Sequence, residues 1–296
     1  MKRETQSFYE IAVRRAVQRI AGGLDDALDL VALAKQAALS PLHFHHVFRG
    51  MVGETPLEMH RRLRLERAAM QLATTETPVT TIAFDAGYET HESFTRAFRR
   101  AYAASPSELR AREHPRTELA TRSGVHYRST ADITIQPGDP LMNVSLESMP
   151  DMTVASLRHT GPYNTIGEAF GRLGQIAGGS GLFALPGVMM VAIYHDDPEA
   201  VPAAELRADA GIVVPAGTKI PSELAASQIP AGAFAKTTHA GPYTHLGDTW
   251  ARLMGEWIPR SGKRIRDGVS FEVYRNTPMD TKPEDLRTDI YVPITP

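Results

Sequence analysis

Residues 159–173, HTGPYNTIGEAFGRL, recur as residues 239–253, HAGPYTHLGDTWARL, at an offset of 80. The same register aligns Met149-Pro150 with Ile229-Pro230, Tyr194 with Tyr274, Pro198 with Pro278, Leu206-Arg207 with Leu286-Arg287 and Asp209 with Asp289. A duplication without gaps leaves few folds open. Each copy is expected to run strand, Gly-Pro-Tyr turn, amphipathic helix and two more strands, at 188–195 and 207–214, then 269–275 and 287–294. Two such units should pair about a pseudo-twofold, each burying a face it cannot bury alone. The groove between them is the natural place for a ligand.

Where the copies differ, function is the expectation. Val191-Ala192-Ile193-Tyr194 corresponds to Phe271-Glu272-Val273-Tyr274, so an alanine is replaced by an acid. Strand alternation puts Glu272 and Tyr274 on one face, opposite Phe271 and Val273. A carboxylate among large apolar neighbours is costly unless paired. Two roles are open to it: a salt bridge, to Arg275 or Arg252, or the counter-charge of a ligand. Phe170 likewise becomes Trp250, a strong cation–π partner. His159 and His239 recur symmetrically at strand ends, which suggests fold-building in place of catalysis.

The front of the chain carries a second duplication. Val79 to Arg100, VTTIAFDAGYETHESFTRAFRR, places apolar residues at helical spacing before Gly87 and again after it. Gly87 suits a tight turn that needs positive φ. Spacing alone allows a helix-turn-helix or an ordinary helical hairpin. An earlier copy decides between them: Leu30 to Phe48, LVALAKQAALSPLHFHHVF, has the same layout, with Phe48 and Phe98 standing 50 residues apart. Between them Thr55-Pro56-Leu57-Glu58 reads as a capping box with proline at the first helical position. A helix from Thr55 to Thr74 would span about 30 Å. It would act as a strut, letting two recognition helices meet successive major grooves about 34 Å apart.

Together SPLHFHHVF, VGETPLEMHRRLRLERAAMQL, VTTIAFDAGY, ESFTRAFRR and SPSELRARE, in that order, resemble the DNA-binding domain of AraC/XylS-type transcription regulators from about Phe8 to Arg112. That resemblance implies base reading by Leu42, His45 and His46 in the first recognition helix and by His91, Glu92, Thr95 and Arg96 in the second. His46 stands where members often carry arginine. Because Arg96 can grip guanine in bidentate fashion, the second helix is expected to contribute more discrimination. The second half, with HTGPY, HAGPY, the doubled helix and the FEVYRNTP…DLRTDIYVPI ending, resembles the GyrI-like small-molecule-binding domain. That family implies a groove whose buried glutamate, matching Glu272, neutralises a cationic or amphipathic ligand beside aromatic rings. The residues placed there are Tyr163, Phe170, Tyr194, Trp250, Glu272 and Tyr274.

Charge and composition agree with a divided chain. Residues 1–128 hold 19 Lys+Arg against 15 Asp+Glu, whereas residues 129–296 hold 13 against 19. A basic front and acidic rear fit a nucleic-acid module joined to something else. There is no cysteine, hence no disulfide framework and no thiolate zinc site. No signal-like or 18-residue apolar stretch occurs, so no membrane association is expected and the cytoplasm is the default, at the bacterial nucleoid when DNA is bound.

Phe8 to Ala21 reads as an amphipathic helix with Ile11, Val13, Ala16, Val17 and Ile20 inward. Arg61, Arg62, Arg64 and Arg67 form a basic cluster on the strut, read as a solvated face with some phosphate contact. His43 and His46 satisfy an i,i+3 metal spacing, but no neighbouring ligand completes a tetrahedral set. No metal and no cofactor is expected, and His43 should pack or hydrogen-bond within the motif. Pro, Gly, Ser and Thr punctuate 113–143, with Thr134-Ile135-Gln136 as a short strand lead-in.

The expected architecture is multidomain. An all-α double helix-turn-helix domain occupies 1–112, a linker 113–143, and an α+β domain of two strand-helix-strand-strand units 144–296. The function so read is a sequence-specific, double-stranded-DNA-binding regulator that senses a small organic effector, with RNA polymerase as a further partner and no catalytic residues. The different class left open is small-molecule hydrolysis in the GyrI-like half, supported by Glu272, Tyr274 and Trp250.

Overall fold

The computed structural model describes residues 2–128, 133–135 and 142–296. Seven helices lead: α1 (Lys2–Gly22), α2 (Leu30–Gln36), α3 (Pro41–Val52), α4 (Pro56–Thr74), α5 (Val79–Asp85), α6 (His91–Tyr102) and α7 (Pro106–Arg110). Their starts are set by side-chain caps. Ser40 Oγ accepts from His43 N, Thr90 Oγ1 accepts from Ser93 N, and complete capping boxes open α4 (Thr55, Glu58) and α7 (Ser105, Glu108). Gly87 takes φ +81° in the turn between α5 and α6. In the earlier copy Ala38 adopts φ +53° instead, a conformation unusual without glycine.

The two helix-turn-helix units sit in different cores. Phe94 and Phe98 of α6 close on Ile82, Ala83, Leu109 and the C-terminal half of α4. Phe44, Val47, Phe48 and Met51 of α3 belong instead to a larger core. It takes in α1, the N-terminal half of α4, and Leu246, Trp250, Met254, Ile258 and Val292 from far along the chain. One expectation changes here. Ile11 is 49% exposed, and the inward place goes to Tyr9, whose hydroxyl accepts from Ile265 N.

On the strut, Arg62 is bonded to Glu54, Glu66 and Val125 O, Arg64 to Leu24 O and Asp26 O, and Arg67 to Asp25 and Asp85 O. These three arginines tie chain segments together, whereas the sequence suggested a solvated face; Arg61 alone is exposed. Residues 113–128 and 133–135 form no regular element; the first stretch lies against α4, where Glu66 accepts from Leu119 N and Tyr127 N, and Thr134 N donates to Ser123 O. Thr134 and Ile135 are not in a strand, and Gln136 lies outside the described residues.

The second half is one antiparallel sheet with helices on it. Its strands are β1 (Ser145–Met149), β2 (Met152–Thr160), β3 (Met189–Tyr194), β4 (Arg207–Val214), β5 (Ala225–Ile229), β6 (Gly232–Ala240), β7 (Phe271–Tyr274) and β8 (Arg287–Pro293). Their order, β1-β6-β8-β7-β3-β4-β2-β5, is the same read from either edge once the offset of 80 is applied. The short strands β1 and β5 were not foreseen as repeat elements. Each pairs with the opposite repeat (β1 on β6, β5 on β2), so the two halves are interlocked. At the centre β3 pairs with β7, and Ala192 lies opposite Glu272. Those residues are also related by the offset, so the pseudo-twofold axis passes through that pair.

On the first repeat, α8 (Gly167–Gly179) packs Ala169, Leu173 and Ala177 over Ala192, Ala208 and Ala210. On the second, α9 (Leu246–Ala251), a π-helical turn (Arg252–Trp257) and α10 (Ile258–Ser261) replace one regular helix. Val191, Ile193, Phe271 and Val273 fill the opposite face of the sheet.

Candidate DNA-reading helices and effector pocket

The residues predicted to read DNA separate into two groups. On α6, His91, Glu92 and Arg96 are exposed and Thr95 is half-buried. On α3 the reading face is covered by the C-terminal half. His45 is 7% exposed, with Nδ1 3.0 Å from Asp197 Oδ1, and His46 stacks on Trp250 with ring centroids 5.5 Å apart. Leu42 is half-buried. His43, expected to bond within its own motif, lies across the contact with Nε2 2.9 Å from Ser270 Oγ. Arg49 reaches Asp248 at 2.6 Å.

The closest approach is backbone to backbone. A methyl group at Gly50 would meet the Ala251 carbonyl oxygen at 2.1 Å, and one at Gly255 would meet Gly50 Cα at 2.6 Å. Only glycine on both helices allows this crossing. Burial holds the His43 imidazole down to about 4 and drives His46 well below the ordinary histidine value, the neighbouring histidines and Arg49 adding to it. Both rings are therefore neutral in the contact near pH 7, which is what makes their burial tolerable. His45 finds carboxylates at Asp197 and Glu199 that no local spacing could reveal, yet no group of three or more His, Cys, Asp or Glu suited to a metal exists among the described residues.

The cluster around Glu272 is built on the pseudo-twofold axis. The carboxylate is 2% exposed; Trp250 Nε1 donates to Oε1 at 2.7 Å and Tyr274 OH donates to Oε2 at 2.7 Å. Tyr194 OH is 3.3 Å from Tyr274 OH. Phe170 meets the Tyr274 ring edge-on at 5.3 Å, and Tyr163 meets Tyr194 at 4.8 Å. All six residues placed in the groove from sequence thus stand in one linked cluster.

The salt bridge to Arg275 does not form. Arg275 Nε donates to Asp289 at 2.6 Å, mirroring His195 and Asp209 at 2.7 Å in the first repeat. Among the described residues Glu272 is held by neutral donors only, Trp250, Tyr274 and Tyr194, and burial raises its pKa despite them. Two carboxylates facing each other on the axis would repel, which accounts for Ala192 opposite.

Tyr243, absent from the sequence-derived set, joins the cluster. Its ring lies 5.4 Å from Tyr274, and the signal was present, since it is the offset partner of Tyr163. Tyr163 itself bonds through its hydroxyl to Asp196 O and Arg207 O, clamping a loop. His159 and His239 both place Nε2 against the carbonyl of the proline in their own turns, at 3.0 and 3.2 Å. Away from the axis, a cleft of about 640 Å³ runs between β6 and α9, past Lys236, His245, Thr249 and Arg252.

Two helix-turn-helix units are thus followed by an internally duplicated sheet domain. Residues 33–112 match a helix-turn-helix domain, and residues 142–295, just over half of the chain, match the GyrI-like small molecule binding domain. Regulatory protein SoxS of Salmonella typhimurium is 34% identical over 100 residues, covering 34% of this chain and 94% of that protein. The DNA gyrase inhibitor of Yersinia enterocolitica is 33% identical over 136 residues, 44% of this chain and 84% of that protein. The arabinose operon regulatory protein of Escherichia coli is 35% identical over 100 residues, and the match spans 33% of this chain and only 34% of that relative. The chain belongs to the AraC-type DNA-binding transcription regulators and carries a GyrI-like small-molecule-binding domain.

Proposed function

We propose that this regulator senses a small cationic or amphipathic organic ligand at Glu272 and reads DNA through Leu42, His45 and His46 of α3 and His91, Glu92, Thr95 and Arg96 of α6. The observation that carries the ligand class is a buried acid whose only partners among the described residues are an indole and two phenols. A desolvated carboxylate without a cation is unfavourable, and aromatic faces around it suit an apolar cation. Phe170, Tyr163 and Tyr243 complete the cage. The proposed division is 1–112 for DNA, 113–143 as linker and 144–296 for the effector. The proposed setting is the bacterial cytoplasm, with RNA polymerase as a further partner at the promoter. No helix among the described residues is long and apolar enough to cross a membrane.

The test is calorimetric binding of tetraphenylphosphonium and of neutral triphenylphosphine oxide. Glu272→Gln should weaken the cation at least tenfold, about 1.4 kcal/mol, and leave the neutral compound within twofold. Equal cation affinity in both proteins would remove the counter-charge role. Turnover of an ester-bearing ligand by wild type, abolished in Glu272→Gln, would replace sensing with hydrolysis.

A further inference from the structure

The DNA-binding half is gripped from both sides of the pseudo-twofold axis. From the second repeat, α9 and the π-helical turn cross α3 at the Gly50–Gly255 contact, flanked by Arg49–Asp248 and His43–Ser270. From the first repeat, the loop after β3 lays Asp197 against His45 and Glu199 against Thr55 and Leu57 N, at the start of α4. The Glu272 cluster, the proposed ligand site, lies on the axis between these two grips. Trp250 belongs to pocket and contact alike: its Nε1 donates to Glu272 while its ring face stacks on His46.

A ligand changes a conformational equilibrium only as far as it prefers one state. Trp250 supplies that preference. The docked arrangement uses the Trp250–Glu272 hydrogen bond, and a cation that takes the carboxylate competes for the same oxygen. The Gly50–Gly255 crossing has no slack to absorb a displaced indole, because both backbones already touch. Interfaces packed this closely switch between arrangements more readily than they deform.

Resting on the reading that the Glu272 pocket takes a cation, we propose that the C-terminal half is a ligand-released mask over the first DNA-reading helix. Without ligand, α3 is withheld and only α6 is presented. A cation at Glu272 dislodges Trp250, opens the grip and frees α3 to enter the neighbouring major groove.

The full-length chain with Gly255→Leu tests this, since Gly255 touches neither the Glu272 carboxylate nor the exposed face of α6. The DNA is a duplex selected from random sequence, carrying two half-sites one helical turn apart. The ligand-free variant should bind it about tenfold or more tighter than ligand-free wild type, with a steeper salt slope as α3 adds phosphate contacts. Tetraphenylphosphonium should tighten wild-type binding by a similar factor and leave the variant unchanged. In wild type it should also speed amide exchange across 44–51. Asp248→Arg, an exposed change that opposes Arg49, is the second variant and should raise affinity two- to fivefold without threatening the fold.

No gain in either variant overturns the mask. A gain in both variants without any wild-type response to the cation keeps the mask, and sinks the ligand reading together with the release step.

Discussion

α3 and α6 are copies of one element that the rest of the molecule treats in opposite ways. Each starts at a capped turn, each buries two phenylalanines, Phe44 and Phe48 or Phe94 and Phe98, and each ends in a residue of positive φ, Gly53 or Ala103. The inner faces agree because both must pack on the same strut. The outer faces do not. α6 shows His91, Glu92, Arg96, Arg99 and Arg100 to solvent, whereas α3 turns His43, His45 and His46 into the C-terminal half. A guanidinium cannot shed its charge, but an imidazole can, so histidine is the basic residue that survives in a buried contact. The departure from arginine at His46, noticeable in the sequence as an oddity, acquires a physical reason here.

The comparison breaks most visibly in stability. Phe48 and Phe98 are both fully buried, and either change to alanine should cost about 3–5 kcal/mol. The consequences should differ, because Phe98 lies in a core confined to the second helix-turn-helix and Phe48 in one shared with the effector half. Phe98→Ala should melt α5–α7 early and leave Trp250 fluorescence unfolding near its wild-type temperature. Phe48→Ala should lower the Trp250 transition itself by several degrees. Calorimetry with Trp fluorescence on the same samples checks this; equal shifts in both variants would mean a single cooperative core.

Arg96→Ala sharpens the comparison at the DNA. Loss of a bidentate base contact should cost about 1–3 kcal/mol on the selected duplex and relax preference at one base position. Non-specific binding should fall far less, with a salt slope reduced by at most about one phosphate contact. Uniform loss on every sequence would make Arg96 a phosphate contact only.

Much of this architecture is legible in the sequence. Caps, turn glycines and the offsets of 50 and 80 are local or internal signals, so helices, central strands and the axis-centred acid could be placed from them. Relations across the two duplications were not legible. Gly50 and Gly255 are 205 residues apart and read separately as a neutral residue in a helix; their meaning arises only when the helices cross. Asp197, Glu199 and Ser270 likewise meet α3 through tertiary folding alone. The exchange of β1 and β5 was hidden because an edge strand of five residues carries little periodicity. Strut arginines misled for a related reason: charge on a helix predicts solvent unless a carbonyl such as Asp85 O or Val125 O comes within reach.

The later duplication repeats the lesson of the earlier one on a smaller scale, with shared scaffolding and one position that differs. Ala192 and Glu272 face each other on the axis, and only one of them titrates. Burial raises the Glu272 pKa from 4.5, with the Trp250, Tyr274 and Tyr194 hydrogen bonds pulling the other way. The fold therefore holds that proton more tightly than the unfolded chain does. The resulting stability is fully present below about 4.5 and is lost as pH rises through the raised value. For a cation the sign reverses. Below the raised pKa it must expel a proton to reach the carboxylate, so affinity should climb by up to about tenfold per pH unit and level off above that value. Titrating tetraphenylphosphonium from pH 5 to 8 checks this against Glu272→Gln, whose profile should be flat. A flat wild-type profile would mean that the acid is already ionised throughout, and that its aromatic donors stabilise the charge better than its burial opposes it.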